Sequence, residues 1–351
     1  MRTPGPARPT TAPSTDPAPP SATAPPVPVP APDSPAPEGQ PSEAVWDVVV
    51  VGGGAAGLAG ALMLARSRRR VLVLDAGDPR NAPADAVHAL LALDGTPPLE
   101  LLARGRADVE RYGGVVRPAR VSEARADGDL FRVTAADGVV VRARRLLLAT
   151  GLVDELPELP GLREGWGSDV VHCPFCHGWE VRDRAIAVLG TTPMAVHQAL
   201  MFRQLSDRVR LLTWELALGE EDLARLVARG VEIVPGTPVG VERADGALKG
   251  VRMADGSLVE AGALTVQTRM HPRAEPFGPL GLELAENAMG TALAAGPTGA
   301  TSVPGVWVAG NLADVSAQVG AAAAQGALAG GHINGDLVMA DADLAVAAAA
   351  A

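Results

Sequence analysis

The chain has 351 residues, 47% of them hydrophobic, and 40 acidic against 30 basic side chains give a formal net charge of −10. That balance leaves no basic stripe and argues against nucleic acid or an anionic membrane surface as a partner. The longest weakly polar runs, 319–331 and 344–351, are built from Ala and Gly and are too short to span a bilayer.

Residues 1–44 hold nearly half of the 31 prolines among Ala, Ser and Thr. Such a stretch buries too little apolar surface to offset its ordering entropy, so a disordered extension is expected. It carries no continuous apolar segment of the secretory kind, which makes the cytoplasm the default location. Asp47–Val51 then reads as a buried β-branched strand. It runs into Gly52-Gly53-Gly54-Ala55-Ala56-Gly57, a helix from Leu58 to about Arg66, and a second strand, Val71–Leu74, ending in Asp75. This is a complete dinucleotide unit: Gly52 for the turn, Gly54 for the approach of the pyrophosphate, Gly57 for helix–strand contact, and Asp75 for the ribose hydroxyls.

A further strand, Arg145–Leu148, ends in the small residues Ala149-Thr150-Gly151. Both cysteines of the chain follow, in Cys173-Pro174-Phe175-Cys176-His177-Gly178. In a cytosolic chain such a pair is catalytic more often than a staple, so it reads first as a redox dithiol. The alternatives are a structural pair, half of a zinc site that lacks its other ligands, and a haem attachment string. His177, beside the pair, titrates near neutral pH and suits a proton acceptor. His172 and His88 are weaker candidates, and His197, His271 and His332 read as packing or surface residues.

Ala185–Leu189, a loop from Gly190 and a helix to about Leu205 form a second βαβ unit with Val209–Thr213, but it is damaged. Thr192 replaces the middle glycine and Ala195 the third, and carboxylates at 215–222 stand where a 2′-phosphate would require arginine. Finally Val306–Ala309 reads as a strand, followed by the turn Gly310–Asp314 and a small-residue helix, Gln318–Gly330.

The glycine loop, Ala149-Thr150-Gly151, the Cys173/Cys176 pair, and Gly310-Asn311 with Ala317-Gln318-Val319 together resemble the low-molecular-weight thioredoxin reductases. The likeness covers roughly residues 45–338. It implies an α/β fold of two Rossmann-like, three-layer domains. The FAD-binding domain is discontinuous, 45–162 and 273–338, around an inserted NAD(P)-type domain, 163–272, that carries the Cys-x-x-Cys; an Ala-rich tail occupies 339–351. FAD is the implied cofactor, Cys176 the thiol toward its ring and Cys173 the thiol toward substrate, in a homodimer. Asn311 stands where the family has an acid for the ribityl chain, and Ala317 where it has an arginine. The string Cys-x-x-Cys-His-Gly and the damaged second loop are similar to the FAD-dependent dithiol oxidases of gliotoxin- and holomycin-type natural products. The expected activity is therefore disulfide formation in a small-molecule dithiol, with O2 as acceptor and H2O2 as product. The alternative is an NAD(P)H-dependent reductase acting on a protein disulfide.

Overall fold

A computed structural model describes residues 45–350; the expected extension 1–44 lies outside the described residues. In chain order, β1 (Val45–Val51), α1 (Ala55–Arg66), β2 (Val71–Asp75), α2 (Pro98–Arg111), β3 (Val115–Pro118), β4 (Val121–Asp127), β5 (Leu130–Ala135) and β6 (Val140–Leu148) come first. Strand β7 (Leu152–Glu155) leads out of this group. Then come β8 (Val170–Val171), α3 (Pro174–His177), β9 (Ile186–Leu189), α4 (Met194–Phe202), β10 (Val209–Leu212), α5 (Glu220–Ala228), β11 (Glu232–Val234), β12 (Pro238–Ala244), β13 (Ala247–Met253), β14 (Leu258–Glu260) and β15 (Ala263–Thr265). The chain returns through β16 (Arg269–Pro272), β17 (Leu284–Asn287), β18 (Gly290–Leu293), β19 (Val306–Val308) and α6 (Val319–Ala350).

The first sheet runs β3-β2-β1-β6-β5-β4, with β19 parallel to β6. Its centre is the valine run of β1, hydrogen-bonded in parallel to β2 and β6; Val48, Val49 and Val50 are wholly buried. Apolar cover on both faces is what a continuous β-branched run without alternation requires. Helices α1 and α6 pack on one face, and the contact is close because it is lined with glycine: a Cβ on Gly326 would stand 1.9 Å from the Ala56 carbonyl oxygen.

The second sheet, β11-β10-β9-β15-β8, is parallel throughout and has its own buried clusters. Two antiparallel strands, β7 and β16, are the crossings between the groups, with Met270 opposite Asp154. Leu156, Leu159 and Leu162, which follow β7, pack with Val170 and Leu189. Helix α6 continues through Met339 to Ala350, because alanine favours helix and the last turns are anchored by Asp341, which pairs with Arg69 and Arg144, both at 2.6 Å. Among the described residues no helix is long and apolar enough to cross a membrane.

Candidate active site

The loop after β1 turns at Gly52, whose φ of +104° and position 2.3 Å (as a Cβ) from the Ala149 oxygen leave no room for a side chain. A Cβ on Gly57 would meet the Gly52 oxygen at 1.9 Å, so α1 can start against the strand only with glycine there. Gly54 differs, since a Cβ there would meet nothing within 4 Å; it borders open cavity. The Gly53 amide donates to Asp75 Oδ1 at 3.0 Å, and Arg106 of α2 lies 3.7 Å from the other carboxylate oxygen. Ala149 donates to Val51 O (2.8 Å), the Thr150 hydroxyl donates to Arg273 O (2.7 Å), and Gly151 turns with φ +74°.

The wall from the C-terminal group is a hydrogen-bonded turn. Gly310 N–H donates to Gln325 Oε1 (3.1 Å), and Gln325 donates onward to Asp314 (3.0 Å). The Asn311 amide nitrogen donates to the carbonyls of Asp314 (3.0 Å) and Ala317 (2.9 Å). Asn311 therefore staples the turn with its donor, and only its carbonyl oxygen is left to meet a ligand hydroxyl. Ala317, Gln318 and Val319 border the same cavity, of about 1060 Å³, as the glycine loop, Cys173, Cys176 and His177.

The dithiol is set by β8. Its two residues are fixed in the second sheet, and Gln198 of α4, itself 2% exposed, donates to the His172 carbonyl at 2.7 Å. Pro174, pre-set for a first helical position, opens the single turn α3 that carries Cys176 back over Cys173. Cys176 Sγ donates to Cys173 Sγ across 2.7 Å. That hydrogen bond, followed by the amides of Cys176 and Phe175 and the charge of Arg80, outweighs burial and lowers the Cys173 thiol to about 6. Cys176 moves up, because as donor to a neighbouring thiolate it keeps its proton, and burial adds to this.

His177 sits at the end of α3. Burial holds its imidazole below the ordinary value, and the nearby His88 acts the same way against Glu180 and Asp85. Its Nε2 is buried with no hydrogen-bond partner, and among the described residues neither ring nitrogen bonds a cysteine sulfur. The His177 ring lines the cavity, and burial favours its neutral form. His172 is less available: its Nδ1 lies 3.3 Å from Val266 O, and burial, then Arg80, push it down.

The second glycine loop keeps one glycine by necessity, since a Cβ on Gly190 would lie 2.6 Å from Leu212 O. Thr192 and Pro193 then lead into α4, with Ala195 wholly buried inside it. The first turn of α5 is Glu220-Glu221-Asp222, and Arg225 is already bonded to Glu221 (2.5 Å) and Asp222 (3.3 Å).

The family of pyridine nucleotide-disulphide oxidoreductases matches residues 46–326. The chain belongs to that family. The chain is 31% identical over 319 residues to the thioredoxin reductase sirT of Leptosphaeria maculans, spanning 85% of this chain and 96% of that one. It is 35% identical over 187 residues to the thioredoxin reductase tcpT of Claviceps purpurea, spanning 51% of this chain and 57% of the other. Against three of its fungal relatives the matched stretch spans 57%, 38% and 62% of their length. The crystal structure of HlmI superposes with a TM-score of 0.84 at 44% identity, covering 89% of this chain and 99% of that one.

FAD is the cofactor of this disulphide oxidoreductase family, and the residues present fit it. Gly52, Gly54 and Gly57 would form the cradle for its pyrophosphate, with amides free at the start of α1, and Asp75 at the end of β2 would meet its ribose.

One polar cluster beside the dithiol has no sequence signature. Arg80, from the loop after β2, holds Asp154 of β7 through two bonds (2.7 and 2.8 Å), and the Thr268 hydroxyl adds a third (2.7 Å). Burial would raise the Asp154 carboxyl, but Arg80 and Thr268 bring it below the ordinary carboxylate value. His88, from the same loop, reaches Glu180 just past α3.

Proposed function

We propose that this protein is an FAD-dependent dithiol oxidase that closes a disulfide in a small-molecule dithiol and passes the electrons to O2, giving H2O2. The observation that carries this reading is the pairing of a complete cradle and dithiol in one cavity with a second nucleotide loop that has Thr192 for glycine and a carboxylate-rich flank. A side chain at 192 stands in the pyrophosphate's line of approach, and Glu220, Glu221 and Asp222 repel a 2′-phosphate.

In this reading Cys173 exchanges with substrate and Cys176 is the resolving thiol, while His177 takes a substrate proton. FAD, when bound, supplies a two-electron acceptor that oxygen can reoxidise. Assembly as a homodimer and a cytoplasmic location belong to the same proposal.

The names of the relatives favour a second reading, an NAD(P)H-dependent disulfide reductase. Anaerobic mixing separates the two. A small dithiol should bleach the flavin and NADPH should leave it oxidised, and in air the dithiol should drive oxygen uptake with matching peroxide. Rapid bleaching by micromolar NADPH would reverse the assignment.

A further inference from the structure

A molecule that exchanges with Cys173 must rest against the wall around that sulfur, and the wall has a marked composition. It comes from the segment 166–177, from α4 and from Gln267. None of the residues these elements present to the cavity is Asp, Glu, Lys or Arg; besides the two thiols, the titratable groups are the imidazoles of His172, His177 and His197. The cavity's charged side chains all lie outside this stretch. Three of its carboxylates, Asp75, Asp78 and Asp154, already face Arg106, Arg273 and Arg80.

Helix α4 is fastened to the dithiol by Gln198, whose side-chain nitrogen donates at 2.7 Å to the carbonyl of His172, the residue before Cys173. The amide oxygen of Gln198 is itself buried, so this side chain serves the backbone rather than a ligand. Met194 stands four residues before Gln198 and Met201 three after it. Both therefore share its helix face, about 6 and 4.5 Å away along the axis. Both border the cavity, and Met194 is 36% exposed. Phe175, 62% exposed, borders the same cavity from α3. The two helices are packed together: a Cβ on Gly178, at the end of α3, would lie 2.3 Å from Leu205 Cδ1, just beyond α4. Around Cys173, then, the side chains with area to offer are two thioethers and a phenyl ring.

We propose that Met194 and Met201, with Phe175, are specificity-determining residues that select an uncharged dithiol with an apolar or aromatic body and reject anionic dithiols. The proposal rests on the dithiol oxidase reading and names the substrate class for it. Methionine suits the task because its flexible, polarizable thioether moulds to a rigid ring and makes favourable contacts with aromatic edges. A substrate carboxylate pressed against this wall would lose water and gain no lysine or arginine in exchange.

The test is anaerobic stopped-flow reduction of the flavin in the full-length holoprotein by dihydrolipoamide and dihydrolipoate, which carry the same two thiols and differ in one charge. The pH is set at about 8, above the ordinary imidazole range. Salt at about 0.5 M screens the chain's overall negative charge, so that only the local wall is read. The amide should half-saturate the parent at a concentration about tenfold or more below the acid. Met194→Lys should shrink that ratio about tenfold or invert it, because the acid then finds a cation. Met201→Ala should raise the half-saturating concentration of 1,2-benzenedimethanethiol about tenfold through lost apolar contact. Equal half-saturation of the parent by acid and amide overturns the proposal. So does a Met194→Lys protein with the parent's ratio, or a Met201→Ala protein that takes the aromatic dithiol as the parent does. If dithiols leave the flavin oxidised and NADPH bleaches it, the oxidase reading falls by itself. Lipoamide and lipoate are then compared as acceptors of NADPH electrons, where amide preference upholds the wall's selectivity and equal use overturns it. A flavin that neither dithiols nor NADPH reduce ends both.

Discussion

The lowered Cys173 thiol makes a prediction whose magnitude decides which observable to trust. With a value of about 6, Cys173 is about 90% thiolate at pH 7, against about 3% for an ordinary thiol near 8.5. That is roughly a thirtyfold gain in the reactive form. A less basic thiolate is also a weaker nucleophile: with a Brønsted coefficient of about 0.45, a drop of about 2.5 units costs roughly thirteenfold. The two nearly cancel at pH 7, leaving only about a twofold advantage, which no rate comparison would resolve. At pH about 5.5 the thiolate ratio rises to about 240 and the net advantage to roughly twentyfold. The assay is therefore the pH profile of iodoacetamide labelling of the reduced protein, with the labelled cysteine located by mass spectrometry. Labelling should fall on Cys173, with a midpoint near 6 and a plateau above it. Cys176→Ala should move the midpoint up, since the bond from Cys176 is the largest stabilising cause. A parent midpoint above about 8, or labelling of Cys176 first, would refute the assignment of the two thiols.

Other expectations follow from the same structure. Gly57→Ala places a methyl 1.9 Å from the Gly52 oxygen, so the loop must shift, and the variant should lose flavin on gel filtration and melt at lower temperature than the parent. Arg80→Met leaves Asp154, whose side chain is 5% exposed, without its cation; denaturant titration should show a loss of about 3 kcal/mol, and the Cys173 midpoint should rise. The reduced dithiol should also make stability pH-dependent. Between about 6 and 9.0, the reference from which both thiols are displaced, the unfolded chain binds more protons than the folded one, so stability rises with pH. Above 9.0 the folded chain keeps the Cys176 proton that the unfolded chain releases, so stability falls. Melting curves of the reduced protein, referenced to the oxidised form, should peak near that value, and a flat difference would contradict the pair's opposed shifts.

The two βαβ units were legible because each is local. A β-branched run, a glycine turn and a helix lie within one stretch of chain, and burial on both faces removes alternation in a way that sequence displays. Cys173, Cys176 and His177 are likewise neighbours within one short stretch of chain. The antiparallel pair β4–β5 was not, since short strands with charged outer faces carry a weak pattern. The full length of α6 was missed because its last turns lack an apolar stripe and are held by Asp341 and Asp336 to arginines far away in sequence. Arg80 and Asp154 are 74 residues apart, and His88 and Glu180 come from different units; nothing in either neighbourhood announces the pairing. What the sequence could not display at Asn311 is that its donor is taken by backbone carbonyls that only the folded turn brings near.

The interleaving of the two units also imposes an order on the chain's birth. The glycine loop at 52–57 emerges from the ribosome early, yet its opposite wall, 309–319, follows only after the entire dithiol unit. Until β19 arrives, the edge of β6 beside the cradle is unpaired, and until α6 arrives, the small-residue face of α1 is bare. A nascent or truncated chain would thus carry both thiols with no closed seat for a flavin. Stable retention of flavin therefore reports that synthesis has run through to the final helix.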